Sequence, residues 1–390
     1  MIPFEKALNI VLKSTPKPQV EQVPLLDSLD HILAENVYSD IDMPPFDRSA
    51  MDGFAINSKD TSKTFEIIED IPAGYVPKKC VGKGKAARIM TGAMLPTGAD
   101  KVVKVEDSER ISNIEFRISN IEDKSNISQK AEDVKKGQLI LKRGTLIRPQ
   151  EAAMLATVGK TSVKVYRQPK VAVISTGSEL VEPSKRPKPG QIRNSNGSML
   201  MLQLKRLGIQ AKYLGIARDN FNSTVTLIKK ALKDADIVIM SGGVSVGDYD
   251  FVEKALKKCG VKILFNKVAI QPGKPTTFGL KGDKAAFGLP GNPVSSQVIF
   301  ELLVGPFIDK LVGRAVKDKF KPYKLLADYK RRNAKRELYI PVIFKGDGVL
   351  PVEYHGSAHM LAMTKAQGIM RIPVGMNHLE KESMVHARLI

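Results

Sequence analysis

From residue 170 to 313, short apolar runs alternate with stretches of helical spacing. VAVIST, QAKYLGIA and DIVIM read as strands, and the β-branched DIVIM run lacks any solvent-facing alternation, as expected for a strand buried on both faces. SNGSMLMLQLKRLG, NSTVTLIKKALKDA and FVEKALKKCG have helical periodicity, with Gly208 and Gly260 placed just past two of the helix ends. VKILFNKVAI, TTFGL and AAFGL add further strands. NPVSSQVIFELLVGPFIDKLVG reads as one helix, with Asn292 as N-cap and Pro293 at the first helical position. This alternation predicts a doubly wound parallel sheet with helices on both faces.

The flanking sequence has other patterns. Phe4, Leu8, Val11 and Leu12 form a helical stripe after Pro3, and a second helical stretch is expected over 26–34. Between 61 and 133 the runs TFEIIE, AARIM, KVVKVED and IEFRIS predict a small β-rich domain. The strand QLILKRG precedes a helix starting at Pro149, with Glu151 in its first turn and Gly159 past its end. Beyond 321, YKLLADYK, ELYIPVIF, VLPVEYH, GIMRIPV and SMVHARLI predict a C-terminal β domain with one short helix, SAHMLAMTKA. The expected organisation is multidomain α/β plus β: a discontinuous linker domain (1–44 with 135–168), a β-rich insert (45–134), the α/β domain (169–316) and the β domain (317–390).

Composition narrows the function classes. The chain has 390 residues and a formal charge of +20, which suits anionic partners, either nucleic acid or small phosphates and oxyanions, and equally a surface of solvated lysines. With no Trp and few aromatics, stacking platforms for bases are sparse, so nucleic acid is not the expected partner. Two distant cysteines, Cys80 and Cys259, exclude a disulfide scaffold and fit a reducing cytoplasm. The longest apolar region, 294–308, is broken by Gln297, Glu301 and Pro306, so no membrane span is expected.

In doubly wound sheets, ligands bind beyond the carboxyl ends of the strands. Four such loops carry chemistry: STGSEL, IARDN, SGGVSVGDYD and GLPGNP. In SGGVSVGDYD, Gly242, Gly243 and Gly247 present backbone N–H groups at a helix start, the geometry that binds phosphate. Asp248 and Asp250 would repel a phosphate there unless a cation intervened, and Mg²⁺ is the commonest one. The same glycines also suit an ordinary tight turn. Outside this domain, MPPFDRSAMDGFAI and RIMTGAMLPTGAD are loops dense in reactive side chains, with Asp52 and Thr91 as candidates. His355 and His359 are four apart but lack an evident third metal ligand.

Together, MPPFDRSAMDGFA, RIMTGAMLPTGAD, VISTGSEL, SGGVSVGDYDF, QPGKPTTFG and GLPGNPVSS resemble, in order and over nearly the whole chain, the molybdopterin molybdenumtransferases. That MoeA family includes the C-terminal region of gephyrin. The resemblance implies insertion of molybdate into adenylated molybdopterin, Mg²⁺-dependent release of AMP, and a homodimer with each cleft between subunits. It implies catalytic roles for Asp52, Thr91, Asp133, Glu179, Asp219 and Asp250, of which Glu179, Asp219 and Asp250 would hold Mg²⁺. It implies substrate contacts from Ser241, Gly242, Gly243, Ser245, Gly247, Asp248, Lys267, Lys274, Pro290, Pro293, Arg336 and Ser357. Two positions depart from the pattern: Ala131 replaces a glycine before Asp133, and Gln271 stands where some members carry lysine. A molybdopterin adenylyltransferase is the expected donor of substrate, and molybdenum-enzyme assembly proteins are further partners. The alternatives are adenylyl transfer itself, which leaves the MPPFDRSAMDG loop unexplained, and a gephyrin-like scaffold, which need not keep the acids.

Overall fold

The computed structural model describes residues 1–120, 123–218, 220–244 and 251–390. They divide into two compact units: Met1–Val23, Asp30–Ala34 and Lys164–Ile390 form one, Pro24–Leu29 and Glu35–Val163 the other.

The first unit contains the predicted α/β domain. Its elements are β1 (Val171–Thr176), α1 (Ser195–Arg206), β2 (Ala211–Ala217), α2 (Phe221–Asp234), β3 (Ile237–Ser241), α3 (Val252–Lys258), β4 (Lys262–Phe265), β5 (Thr277–Lys281), β6 (Lys284–Leu289) and α4 (Pro293–Ile299). The sheet order is β2-β1-β3-β6-β5-β4. β1 runs parallel to β2 and β3, and β3 parallel to β6, with Ile237 opposite Ala285. β5 runs antiparallel to both of its neighbours, β6 and β4, unlike the wholly parallel sheet the alternation predicted. The cause is local: only Gly282 and Asp283 separate β5 from β6, too few for a crossover, and Gly282 has φ +57°.

Burial on both faces explains the unbroken apolar runs. Val171, Val173, Ile237 and Ile239 pack against Leu200 and Leu204 of α1, together with Phe4 and Val11 of the N-terminal helix Phe4–Lys13. Ala172, Ile174, Val238 and Met240 face Ile228 and Leu232 of α2 and Leu256 of α3. Each fully buried aliphatic side chain contributes roughly 2 kcal/mol.

The C-terminal strands close on themselves. Strand Glu337–Lys345 pairs with both Gly348–Pro351 and Gly368–Ile372, and Lys321–Leu325 and Met384–Leu389 complete the ring. Tyr339, Met363 and Ile369 of this region belong to the same core as β1 and α1. A short strand, Ile270–Gln271, joins the ring alongside Glu337 and Leu338, then leads through residues 272–276 directly into β5. VKILFNKVAI therefore splits between two sheets instead of forming one strand. A buried ion cluster adds a second link: Glu301 accepts from Arg388 (2.6 Å) on the last strand and from Arg206 on α1.

Two predicted helices are altered. The long helix after Asn292 is interrupted by a π-helical turn over Phe300–Val304 and resumes as Gly305–Leu311. Pro306 lies at the second position of the resumed helix; it has no N–H to donate and clashes with a regular turn. The stretch expected as a helix over 26–34 is a single 3₁₀ turn, Leu25–Asp27. Leu26 is 94% exposed, so no apolar face stabilises a longer helix, and Asp30 at φ +64° turns the chain out of helical conformation.

The second unit holds the β-rich sheet, in the order Lys101–Lys104, Gly53–Ile56, Lys85–Ile89, Thr64–Ile71, Glu115–Ile118 and Ser108–Arg110. Ala55, Ala87, Ile89 and Val102 fill one face. Phe54, Phe65 and Phe116 stack on the other. Gly53 is required there, because a Cβ would lie 2.0 Å from the Val103 carbonyl oxygen. Helix Pro149–Thr157 starts where predicted, and Glu151 caps it by accepting from the Arg148 backbone.

Candidate functional site

The carboxyl ends of β1, β3 and β6 open into a cavity of about 980 Å³ in the first unit. Predicted residues Glu179, Ser241, Gly242, Gly243, Lys274, Pro290, Pro293, Arg336 and Ser357 all line it. Lys267 does not; its carbonyl accepts from the backbone N–H of Ile2. Asp219, Ser245, Gly247, Asp248 and Asp250 lie outside the described residues.

The glycines are demanded by close approach. Gly242 has φ +93°, and a Cβ there would sit 2.4 Å from the Thr176 carbonyl oxygen. Gly243 has φ +63° and would meet the Thr176 hydroxyl at 2.8 Å. The turn after β3 is thus pressed onto the end of β1. At Gly177, a Cβ would fall 2.5 Å from the Glu179 carboxylate, which folds back over its own turn.

The lining is electropositive. Arg193, Lys274 and Arg336 face a single described acid, Glu179. The Arg193 Nε donates to the Lys185 carbonyl (3.1 Å). The Arg336 guanidinium donates to the Ile270 carbonyl (3.2 Å) and to Oε1 of Gln271 (3.4 Å). Gln271 therefore supplies an acceptor to Arg336, where a lysine would set a second cation beside it. The N-termini of α1 and α4 also reach the cavity through Ser195, Asn196, Pro293 and Ser295, adding their partial positive charge. Tyr354 closes part of the wall; burial, reinforced by Tyr329, pushes its phenol up to about 12, so it stays neutral.

Asn292 begins α4 as predicted but makes no side-chain cap. Its Nδ2 instead donates to the Ser357 hydroxyl (2.7 Å), and the Ser357 carbonyl accepts from the Val294 N–H (3.1 Å). Sequence reading treated the start of α1 only as a helix and so missed Asn194, Asn196 and Gly197. The N-x-N-G spacing at a helix start was the available signal. Asn194 caps α1 by accepting from the Gly197 N–H and also accepts from the Ser175 hydroxyl.

In the second unit Asp52 and Thr91 come together. Asp52 Oδ1 accepts from both the hydroxyl and the backbone N–H of Thr91, each at 2.7 Å. These bonds, the hydroxyl first, hold the exposed Asp52 carboxyl below its ordinary range. Asp133 lies on an exposed loop, tied by its backbone N–H to the Met43 carbonyl. Ala131, at the glycine position, has φ +62°. His355 and His359 stack at 5.0 Å, and no group of three metal-ligating side chains occurs among the described residues.

Residues 2–159 match the model of the MoeA N-terminal region (domain I and II), and residues 172–310 match that of the probable molybdopterin binding domain. The molybdopterin molybdenumtransferase of Staphylococcus epidermidis (strain RP62A) is 38% identical, over 96% of this chain and 92% of its own. The chain belongs to the molybdopterin molybdenumtransferase family. A second family member, from Bacillus subtilis, is 36% identical over 100% of this chain and 94% of its own. Among solved structures, the molybdopterin biosynthesis moea protein from Pyrococcus horikosii matches with a TM-score of 0.83 and 37% identity, covering 100% of this chain and 99% of that one. The family membership makes this chain an enzyme of molybdenum cofactor biosynthesis, a transferase of the molybdotransferase type. No helix among the described residues is long and apolar enough to cross a membrane.

Proposed function

We propose that the cavity binds adenylated molybdopterin, that Mg²⁺ is required, and that AMP is released as molybdate joins the dithiolene. The convergence of Arg193, Lys274, Arg336 and two helix N-termini on one cavity carries this reading, because both a pyrophosphate and a molybdate dianion need such donors. Glu179, on the cavity wall, together with Asp219 and Asp250 would supply the all-oxygen ligands that Mg²⁺ takes. Bound there, the ion would offset negative charge on the phosphates. The chain's own work is to orient the pyrophosphate through Lys274, Arg336 and the glycine turn, and to hold Ser357 against α4. Asp52, kept ionised by Thr91, supplies a carboxylate that orients or accepts a proton from attacking water, with Asp133 as a further acid.

The assembly in this reading is a cytoplasmic homodimer, with Asp52 of one copy serving the cavity of its partner. A molybdopterin adenylyltransferase supplies the substrate. The test is incubation of purified protein with adenylated molybdopterin, Mg²⁺ and molybdate. Release of AMP dependent on both Mg²⁺ and molybdate is expected; absence of AMP would overturn the proposal. Mixing Asp52→Ala with Asp250→Ala chains should restore some activity through hybrid dimers, and a fully active monomer by light scattering would refute the shared site.

A further inference from the structure

The first turn of α1 touches the ends or flanks of all four parallel strands through two asparagines. Asn194 accepts from the Ser175 hydroxyl of β1 (3.1 Å), and its Nδ2 donates to the Tyr213 hydroxyl of β2 (2.8 Å). Tyr213 in turn donates to Glu182 (2.9 Å). Asn196 serves the other two strands: its Nδ2 donates to the Ser241 hydroxyl at the end of β3 and to the Gly291 carbonyl after β6, both at 2.7 Å. Gly197 lets the helix come this close, since a Cβ there would lie 2.7 Å from Asn194 Nδ2 and 3.1 Å from the Ser175 hydroxyl.

The orientation of the Asn196 amide is forced. The Gly291 carbonyl only accepts, so the amide must turn its nitrogen toward it. Both strong bonds of this side chain therefore go to cavity loops, and its Oδ1 is buried with no partner among the described residues. The side chain is nine-tenths buried and lines the cavity floor. Leaving a buried acceptor unpaired is unfavourable, and here the amide is arranged for the loops it holds.

We propose that Asn196 is a positioning residue that straps the glycine turn after β3 to the loop after β6, fixing the phosphate-binding backbone of the cavity before substrate arrives. This rests on the cavity being the anion site proposed above. Neither loop has another described side chain bonded to both sides; the Gly242 N–H also bonds the Leu289 carbonyl at the end of β6 (3.0 Å), so removal of Asn196 leaves that backbone bond as the tie and loosens Gly243 and the Gly291–Asn292 loop relative to each other. Misplacement of that backbone by about 1 Å costs on the order of 100-fold in turnover, while affinity falls by less.

The test uses inorganic pyrophosphate as probe, with binding followed by calorimetry on wild type, Asn196→Ala, Asn196→Ser and Ser241→Ala, each at a temperature well below its own melting point. Wild type is expected to bind pyrophosphate. Asn196→Ala is expected to bind it roughly tenfold more weakly, as preorganisation is lost, and to show faster amide exchange at residues 241–244. Asn196→Ser and Ser241→Ala, which disturb fewer groups, are expected to show smaller losses in the same direction and keep the test open if the alanine variant fails to fold. An Asn196→Ala/Ser241→Ala chain should be no worse than Asn196→Ala alone, because both act through one strap. Equal pyrophosphate binding by folded wild type and Asn196 variants would overturn the strap and leave the cavity reading standing. No pyrophosphate binding by wild type would overturn both.

Discussion

The cavity of the first unit and the Asp52–Thr91 pair of the second solve different problems with different means. The cavity is cationic, enclosed by loops whose glycines lie so close to Thr176 that an added Cβ would come within 2.4–2.8 Å of its carbonyl or hydroxyl, and bonded through buried amides to four strands. The pair is a single exposed carboxylate held by one threonine, with neighbouring Arg88 lowering its pKa only weakly. On the function proposed above, one binds an anion in a fixed place. The other is built to keep a carboxylate charged. Binding and chemistry are thus separable by mutation, and damage to one should leave the other measurable.

The largest expected effect is at Asp52. Asp52→Ala should slow AMP release by about 100-fold or more, the scale of losing one acid–base or electrostatic contribution. Pyrophosphate binding and melting temperature should stay unchanged; a parallel loss of pyrophosphate affinity would break the division of labour. In the cavity, Lys274→Ala or Arg336→Ala should weaken substrate binding by roughly 10-fold, the cost of one charge-assisted contact. This should appear in KM more than in kcat, and in steady-state kinetics the reverse pattern would mean these cations act on the transition state.

A smaller effect concerns pH. The Asp52 pKa is depressed in the folded chain, so its carboxylate persists as pH falls through the ordinary aspartate range and is lost only below it. Thr91→Val removes the hydroxyl, the main cause, and leaves the backbone N–H. The Asp52 titration, followed by carboxyl NMR, should then move upward toward the ordinary aspartate range. An unmoved titration would assign the depression elsewhere. Smallest of all, Ala131 sits in left-handed backbone at φ +62°, and Ala131→Gly should raise stability by at most about 1 kcal/mol, read from denaturant melts.

Apolar runs and turn residues made most of the α/β region legible. VAVIST and DIVIM could only be buried strands, and the glycines beyond them marked where backbones meet. What stayed hidden depends on tertiary partners. The stripe Leu25, Leu26 and Leu29 has helical spacing, yet Leu26 and Leu29 remain exposed, and a helix without a buried face does not persist. The antiparallel edge was encoded in the two-residue link at Gly282, which is easy to pass over between two strands of similar composition. The chemistry-bearing loops were visible as motifs. Asn196 was not, because an asparagine in a helix start reads as local capping until the strands that it holds are known.

The strap of residues 272–276 runs from a strand in the C-terminal ring straight into β5, while Arg388 on the last strand is sunk onto Glu301 behind α1. The ring is therefore no detachable module, despite its separate stretch of sequence. Cutting the chain near residue 317 would strand Ile270–Gln271 without a neighbour, uncover the core that Tyr339 helps fill, and leave Glu301 without its Arg388 partner. Loss of one member of such a buried ion pair alone costs about 3–5 kcal/mol. Shortened versions of this enzyme that keep the α/β region and discard the ring should yield an insoluble or unfolded product instead of a minimal binding domain.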